Sequence, residues 1–200
     1  PERSAPEKKR VIIFSPHPDD DVISMGGTFD RLVEQGHEVH VVYQTSGNIA
    51  VSNHEALKFA EIGLVFNSKN DTYIKIIDFI NQKSSSVSDI IELRNLKAQI
   101  RQKESLGATR FLGLPDNQVH FLNLPFYETG TIEKKPMGEK DVKITMELLR
   151  KIKPHQIYCA GDFADPHGTH LVCFNIVLEA LKRIKAAGDE WIADCWLWLY

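Results

Sequence analysis

The chain has 200 residues, a formal net charge of −3 and a pI near 6.3, with 42% hydrophobic and 26% charged residues. This composition is typical of one soluble domain with a substantial hydrophobic core. It argues against nucleic-acid binding, because a polyanion partner normally requires a concentrated basic surface. No apolar stretch of the sequence is long enough to span a membrane, so we expect no membrane partner.

The predicted elements alternate between strands and helices from residue 11 onwards. In chain order they are a strand at 11–14, a helix at 22–35, a strand at 38–43, helices at 53–66, 72–81 and 87–106, strands at 109–112 and 119–122, a polar loop at 129–139, a helix at 141–152, a strand at 156–160, a helix at 171–186 and a final strand within 191–200. The helix at 87–106 is expected to end at Gly107. This alternation predicts a three-layer, Rossmann-like α/β fold with a mostly parallel sheet and helices on both faces.

Both ends of the chain suggest a domain taken from a longer protein. Residues 1–10 are polar and contain two prolines, which is the composition of a linker. The aromatic run at 191–200 stops without a polar tail, which is consistent with truncation. We therefore expect a single domain at 11–200 behind a linker and a fused N-terminal region.

The cysteines indicate a reducing compartment. Cys159, Cys173 and Cys195 are far apart, odd in number and surrounded by apolar sequence, so they indicate buried thiols rather than disulfides. The N-terminal residues lack the charged-then-apolar order of a signal peptide. A cytoplasmic location is the simplest expectation, and homo-oligomerisation is left open.

The first polar cluster follows the first strand, in the segment Ser15-Pro16-His17-Pro18-Asp19-Asp20-Asp21. Three adjacent carboxylates repel one another unless a cation, a helix N-terminus or protons compensate. A solvated capping loop is the alternative interpretation. A second cluster at 165–170, with His167 and His170, follows the strand at 156–160.

The carboxyl ends of parallel strands meet at one edge of a sheet, so we expect the two clusters to converge. Two histidines and a carboxylate hold a metal while leaving positions open, and an open zinc site lowers the pKa of bound water to about 7. A neighbouring carboxylate could then accept a proton and a spare histidine could stabilise an oxyanion, which is the chemistry of amide hydrolysis. The spacing leaves open which of Asp19 and Asp20 binds the metal.

Other polar residues are weaker candidates. Thr45 and Ser46 follow the second strand at the same edge and could bind a substrate hydroxyl or phosphate, although a plain turn fits equally well. Arg101 and Glu104 are one helical turn apart, which also fits a surface ion pair. The remaining histidines have no partner at ligand spacing and are expected to be structural: His37, His40, His54, His120 and His155.

The segment 16–21, with Gly26-Gly27-Thr28 on the following helix, resembles the opening signature of the PIG-L/LmbE-like zinc N-deacetylases. The resemblance extends over nearly the whole chain, through Thr45-Ser46-Gly47, Arg101 to Glu104, residues 112–116 and the histidine pair. It implies a lactate-dehydrogenase-like α/β fold and a zinc enzyme that removes the N-acetyl group of an N-acetylglucosamine-type amino sugar.

The resemblance also implies individual roles. His17, Asp20 and His170 would bind the zinc ion, or another divalent metal, Asp19 would be the general base and His167 the oxyanion-stabilising acid. Thr45, Ser46 and Arg101 lie in segments that match the family's order, and they are the weaker candidates for contacting the substrate. Versions of the family fused behind a glucosamine-6-phosphate deaminase-like domain are similar to this chain, which suggests an amino-sugar phosphate as substrate.

Three departures from the family pattern bear on the site. Pro16 stands where Ala is common. Asp21 stands where Glu is usual, which changes the bond that this carboxylate makes around the metal ligands. His167-Gly168-Thr169-His170 stands where His-Pro-Asp-His is frequent, so the Asp that would tune His167 is missing. Asp165 and Asp162 are candidates to replace it.

Three other functions compete with a deacetylase. A catalytically impaired binding or regulatory module would explain the altered histidine motif. A 2-His-1-carboxylate Fe(II) oxygenase has a similar ligand set, although such sites usually lie in all-β folds. A dinucleotide-binding domain is disfavoured, because the first turn lacks G-x-G-x-x-G and presents carboxylates where a pyrophosphate needs amide donors.

Overall fold

A five-stranded parallel sheet forms the centre of the computed structural model, which describes residues 7–83, 87–131 and 133–200. Its strands are β1 (Arg10–Ser15), β2 (Glu38–Tyr43), β3 (Val119–Phe121), β4 (Gln156–Cys159) and β5 (Trp196–Leu199). The helices of the described residues are α1 (Asp20–Glu34), α2 (Asn53–Phe66), α3 (Asp71–Gln82), α4 (Ile91–Phe111), α5 (Glu139–Ile152) and α6 (Thr169–Ala186).

The strand order β3-β2-β1-β4-β5 puts β1 in the middle of the sheet. Val11 pairs with Val39 of β2 on one side and with Gln156 of β4 on the other. The chain builds outwards from β1 through β2 to β3, then returns to the opposite side of β1 as β4. This reversal creates a topological switch point, where the loops that follow β1 and β4 diverge and leave a crevice.

Both faces of the sheet are covered by helices, as the sequence predicts. On β1, Ile12 and Phe14 belong to a fully buried cluster with residues of α5 and α6. Val11 and Ile13 point the other way and pack with Phe29 of α1. Strands buried on both faces must be apolar at consecutive positions, which explains the continuous run in β1. The predicted three-layer α/β fold is confirmed.

Helices α2, α3 and α4 pack around a separate small cluster formed by Ala56, Ala60, Ile76 and Leu93. Helix α4 also joins the sheet, because Leu106 packs against the cluster that contains Phe29. The helical middle of the chain is therefore an additional layer, and α4 connects it to the sheet.

The strand predicted at 109–112 is wrong, because α4 continues through Gly107 to Phe111. Thr109 is buried on this helix and its hydroxyl donates a hydrogen bond to the Leu106 carbonyl. The helix is terminated by Gly113, whose φ of +84° lies in the left-handed region. The glycine that ends the helix is thus six residues later in the chain than predicted.

Smaller differences concern the ends of the chain and the loops. The predicted strand at 191–200 is divided into a 3₁₀ turn, Glu190–Asp194, and β5. Within the predicted linker 1–10, residues 1–6 lie outside the described residues, and Arg10 already belongs to β1. Residue 132 of the predicted loop 129–139 also lies outside them. The predicted helix 87–106 begins later, at Ile91.

The three cysteines are free, and Cys159 and Cys173 are buried as predicted. Among residues 7–83, 87–131 and 133–200, no helix is both long enough and apolar enough to cross a membrane.

Replacing Gly107 by alanine should raise the free energy of unfolding by about 0.8–1 kcal/mol, the difference in helix propensity between the two residues. Gly107 is exposed within α4, and an added Cβ would meet no atom within 4 Å. Urea denaturation measures the change.

Gly63 of α2 is the matched control. A Cβ there would lie 2.4 Å from the Tyr73 ring, so Gly63→Ala should destabilise the protein by about 1–3 kcal/mol. A destabilisation by Gly107→Ala would contradict the continuous helix.

Candidate functional site

The loop after β1 folds back on the first turn of α1. The backbone N–H of His17 donates to Asp20 Oδ2 over 2.8 Å, and the backbone N–H of Asp19 donates to the His17 carbonyl over 2.8 Å. Asp20 and Asp21 occupy the first turn of α1, where the helix dipole stabilises negative charge. The His17 ring and the Asp20 carboxylate are therefore fixed on the same side of this loop.

Asp165 organises the loop that leads into α6. Its carboxylate accepts backbone N–H groups from His167, Thr169 and His170, at 3.1, 2.9 and 3.3 Å. Burial opposes ionisation, but these N–H donors hold the pKa of Asp165 below its ordinary value. Gly168 has a φ of +66°, which proline cannot adopt, so the Gly in this motif produces a different turn from a Pro.

His17, Asp20 and His170 come together where the two loops meet. His170 Nε2 lies 3.3 Å from His17 Nδ1 and 3.4 Å from Asp20 Oδ2, and His17 Nδ1 lies 3.3 Å from the same carboxylate oxygen. Ligands at zinc-binding distances in a tetrahedron are separated by about 3.3 Å. The three donor atoms therefore fit three corners of a tetrahedral metal site, and they are the group in the described residues that could hold a metal.

The charges of this group support one another. Burial disfavours the Asp20 carboxylate, but the imidazoles of His17 and His170 hold its pKa well below the ordinary value. Asp20 in turn raises the pKa of His170. His170 Nδ1 is buried and has no hydrogen-bond partner among residues 7–83, 87–131 and 133–200. Metal-binding histidines usually donate this second N–H, so the His170 ring depends on its backbone for orientation.

A cleft of about 460 Å³ opens beside this group of candidate ligands. Its lining residues come from four loops and α4: His17, Asp19, Asp20, Gly47, Ile49, Ala50, Arg101, Tyr127, Lys134 and His167. Arg101 pairs with Asp19, Nη2 to Oδ1 at 2.9 Å, so its partner in the structure is Asp19 and not the Glu104 considered from the sequence. The Asp19 side chain is 40% exposed and faces solvent more than Asp20 does.

His167 is exposed at the cleft, and its imidazole contacts no carboxylate of the described part of the chain. Asp165 bonds to the backbone of His167, and Asp162 bonds to the backbone N–H of Ala164. Neither aspartate therefore replaces the Asp that the family motif would provide for the His167 ring.

Thr45 and Ser46 lie beneath the cleft rather than at its surface. Thr45 is buried and its hydroxyl donates to the Pro16 carbonyl over 2.8 Å, while the Ser46 N–H donates to Glu128. Their predicted contact with substrate stays a prediction. The next residue, Gly47, does reach the cleft, and its Cβ would lie 2.8 Å from a Pro18 side-chain atom.

Asp21 is fully buried behind the loop. Tyr43 donates its hydroxyl to Asp21 Oδ2 over 2.9 Å, and the Asp21 N–H donates to the Ser15 hydroxyl oxygen. Burial raises the pKa of Asp21 to about 6. The Ser15 hydroxyl also contacts the His17 carbonyl, so Asp21 reaches the metal-ligand loop through Ser15.

Sequence reasoning missed Tyr127 and Lys134, which lie in the loop after β3. The Tyr127 ring meets the His17 ring edge-on, with centroids 5.9 Å apart, and Lys134 Nζ lies 5.5 Å from the Tyr127 centroid. Neither residue belongs to a motif. The available signal was that this loop follows a parallel strand and so opens at the same edge of the sheet.

Comparison with known proteins gives a consistent result. Residues 12–181 match the family model PIG-L, described as GlcNAc-PI de-N-acetylase. A glucosamine-6-phosphate deaminase-like protein of Bacteroides thetaiotaomicron is 50% identical over 209 residues, which cover all of this chain and 32% of that protein. The chain thus spans about a third of the length of this relative.

Two archaeal proteins are more distant. A diacetylchitobiose deacetylase of Thermococcus kodakarensis is 24% identical over 205 residues, covering 95% of this chain and 73% of that protein. The structure of the N,N'-diacetylchitobiose deacetylase from Pyrococcus horikoshii has a TM-score of 0.61 and 22% identity, covering 91% of this chain and 52% of that one. This likeness establishes a common fold.

Replacing Asp165 by alanine should weaken the binding of added Zn²⁺, used as a probe for the group of His17, Asp20 and His170, about 10- to 100-fold, because the backbone that orients His170 loses its acceptor. Competition with a chromogenic chelator measures the affinity. Asp162→Ala is the matched control, since Asp162 accepts one N–H outside the His167–His170 segment and should bind zinc normally. Equal zinc affinity in Asp165→Ala and the parent protein would show that Asp165 does not orient His170.

Proposed function

The chain belongs to the PIG-L family, and on that premise we propose that it hydrolyses the acetamide of an N-acetylglucosamine-type amino sugar in a metal-dependent reaction. Membership of a deacetylase family supports an amide-hydrolysing enzyme acting on GlcNAc-like substrates. The observation that carries the proposal is the convergence of His17, Asp20 and His170 beside a cleft that also presents Asp19 and His167.

We propose zinc as the metal. PIG-L deacetylases are metal-dependent, and two imidazole nitrogens with one carboxylate oxygen are ligands that zinc accepts in catalytic sites. Held there, a zinc ion would supply a Lewis acid for the amide carbonyl and a water whose pKa is about 7. The protein's part is to fix these ligands and to leave one side of the group open to the cleft.

Asp19 is the proposed general base. It stands next to the ligand Asp20 but outside the group of three, and it lines the cleft. Arg101 pairs with Oδ1, whereas Oδ2 makes no ion pair or hydrogen bond within the described residues. That second oxygen is free to accept a proton from water, while the guanidinium fixes the direction of the carboxylate.

His167 is the proposed acid and oxyanion stabiliser. Its exposed ring lines the same cleft from the opposite loop, so it can approach an acetamide from the side away from Asp19. Donation of its proton to the leaving amine would complete amide cleavage. Lys134 donates to the His167 carbonyl over 3.2 Å, which ties the two loops together at the rim.

The substrate proposed is an amino sugar, alone or as part of a larger molecule. A volume of about 460 Å³ lies within the range of small-molecule sites. The Thermococcus relative is named for an N-acetylated chitobiose. The Bacteroides relative is named for likeness to an amino-sugar phosphate deaminase, and this supports a fused N-terminal region with a related role.

A second candidate is a binding or regulatory module with impaired catalysis. One observation favours it: no carboxylate of the described chain contacts the His167 imidazole, so the ring lacks the partner that the usual family motif would provide. Acetate release decides between the two candidates.

Asp19→Asn should lower kcat for acetate release from N-acetylglucosamine or diacetylchitobiose about 10²- to 10⁴-fold, the usual contribution of a general base. Zinc content should be unchanged, because Asp19 is outside the group of three. Asp30→Asn is the control: the same chemical change at an exposed position of α1 should leave kcat unaltered.

If Asp19→Asn retained full activity, Asp19 would not be the general base. Normal zinc binding by the parent protein with no acetate release at any pH would favour the module over the enzyme.

Removal of the metal with a chelator should abolish acetate release, and Zn²⁺ should restore it. Protein purified without added metal should contain about one zinc per chain by elemental analysis, as expected for one three-ligand site. His170→Ala should lose that zinc, while His54→Ala, an exposed position on α2, should retain it. Iron in place of zinc, with oxygen-dependent chemistry, would support the oxygenase alternative instead.

A further inference from the structure

A second cleft of about 450 Å³ adjoins the first, and Ile49 lines both. Three cations line it, Lys83, Arg94 and Lys97, against two carboxylates, Asp89 and Glu133. Glu133 is exposed at the rim. Positive charge is therefore in excess beside a cleft that already holds the proposed catalytic residues.

A row of basic residues on α4 connects the two clefts. Arg94, Lys97 and Arg101 follow one another at intervals of three and four residues, so they lie on one face of the helix. Arg101 lines the catalytic cleft, and the other two line the second cleft. Arg94 and Arg101 are seven positions apart, which corresponds to about 10 Å along the helix axis. This distance is on the scale of a sugar ring with its substituents.

The two lysines share one carboxylate. Lys97 is almost fully buried and donates to Asp89 Oδ2 and to Asn53 Oδ1, both at 2.7 Å. Lys83 pairs with the other oxygen, Asp89 Oδ1. A single negative charge between two ammonium groups leaves this wall of the cleft positive.

Arg94 has no counter-ion within the described part of the chain. It is half-buried, no carboxylate there lies within ion-pair distance, and its Nε is buried without a hydrogen bond. Its guanidinium lies against the backbone of Gly130, where a Cβ would be 2.6 Å from Arg94 Nη1. Holding a partly desolvated cation without a partner is unfavourable, so an anion supplied by a ligand would stabilise this arrangement.

We propose that the second cleft binds the phosphate of a phosphorylated amino sugar whose acetamide lies at the metal ligands. This inference rests on the proposed deacetylase function and narrows its substrate to a phosphomonoester. A guanidinium presents paired donors that match phosphate oxygens, and such charge-assisted bonds are stronger than neutral ones. Lys83 and Lys97 share the single carboxylate of Asp89, so together they leave one further positive charge, which suits a dianion better than a carboxylate.

Steady-state kinetics provide the first test. The metal-loaded protein should deacetylate N-acetylglucosamine 6-phosphate or 1-phosphate with a kcat/KM at least ten times that for N-acetylglucosamine. Arg94→Gln should reduce this preference about 10- to 100-fold, the contribution of a hydrogen bond to a charged group. Arg110→Gln is the matched control, because Arg110 lies on the same helix but pairs with Asp116 outside both clefts. Its preference should equal that of the parent protein.

Binding of inorganic phosphate, followed by titration calorimetry, provides a second test that does not need turnover. Arg94→Gln should weaken it about 10- to 100-fold and Arg110→Gln should not; thermal melting verifies that both variants are folded. Acetate release without any preference for the phosphorylated sugars, or phosphate binding that is insensitive to Arg94→Gln, would overturn the phosphate site alone. No acetate release from any sugar would overturn the deacetylase, and phosphate titration would still decide whether the second cleft binds the anion.

Discussion

The contact of the Asp20 carboxylate with the imidazoles of His17 and His170 is the interaction on which the candidate site depends. The two histidines are 153 positions apart in the chain. They meet because the strand order changes direction at β1, with β2 on one side of it and β4 on the other. The loops after β1 and β4 therefore border the same crevice. No local feature of either loop would bring the three donor atoms within bonding distance of one ion.

Three consecutive aspartates are tolerated because each carboxylate has its own kind of partner. Asp19 pairs with Arg101, and Asp20 lies between two imidazoles. Asp21 is buried and accepts hydrogen bonds from the hydroxyl groups of Tyr43 and Ser15. The helix start separates the three side chains, since residues in a first turn point in different directions. Asp19, the candidate base, and Asp20, a candidate metal ligand, therefore point in different directions.

The sheet positions the loops that border the first cleft, whereas the helical layer carries basic residues that line both clefts. The strands fix the loops that carry His17, Asp20 and His170, and the chain shares its fold with the Pyrococcus deacetylase structure. Helix α4 carries the basic residues, and its position depends on packing with α2, α3 and the sheet. Helix α4 serves both clefts, because Arg101 pairs with Asp19 in the first cleft while Arg94 and Lys97 line the second.

The sequence by itself determined the fold class, the order of most elements and the edge of the sheet at which the polar clusters lie, because buried parallel strands and amphipathic helices have distinct apolar periods. It failed at the end of α4, where Gly107 gave a local stop signal that helix packing overrides. The spacing of residues left Asp19 and Asp20 equivalent, and only the tertiary structure put Asp20 beside the two histidines and Asp19 beside Arg101. It also buried Thr45 and brought Tyr127 into the cleft. These outcomes depend on side-chain direction and on contacts between distant loops, which one-dimensional spacing does not contain.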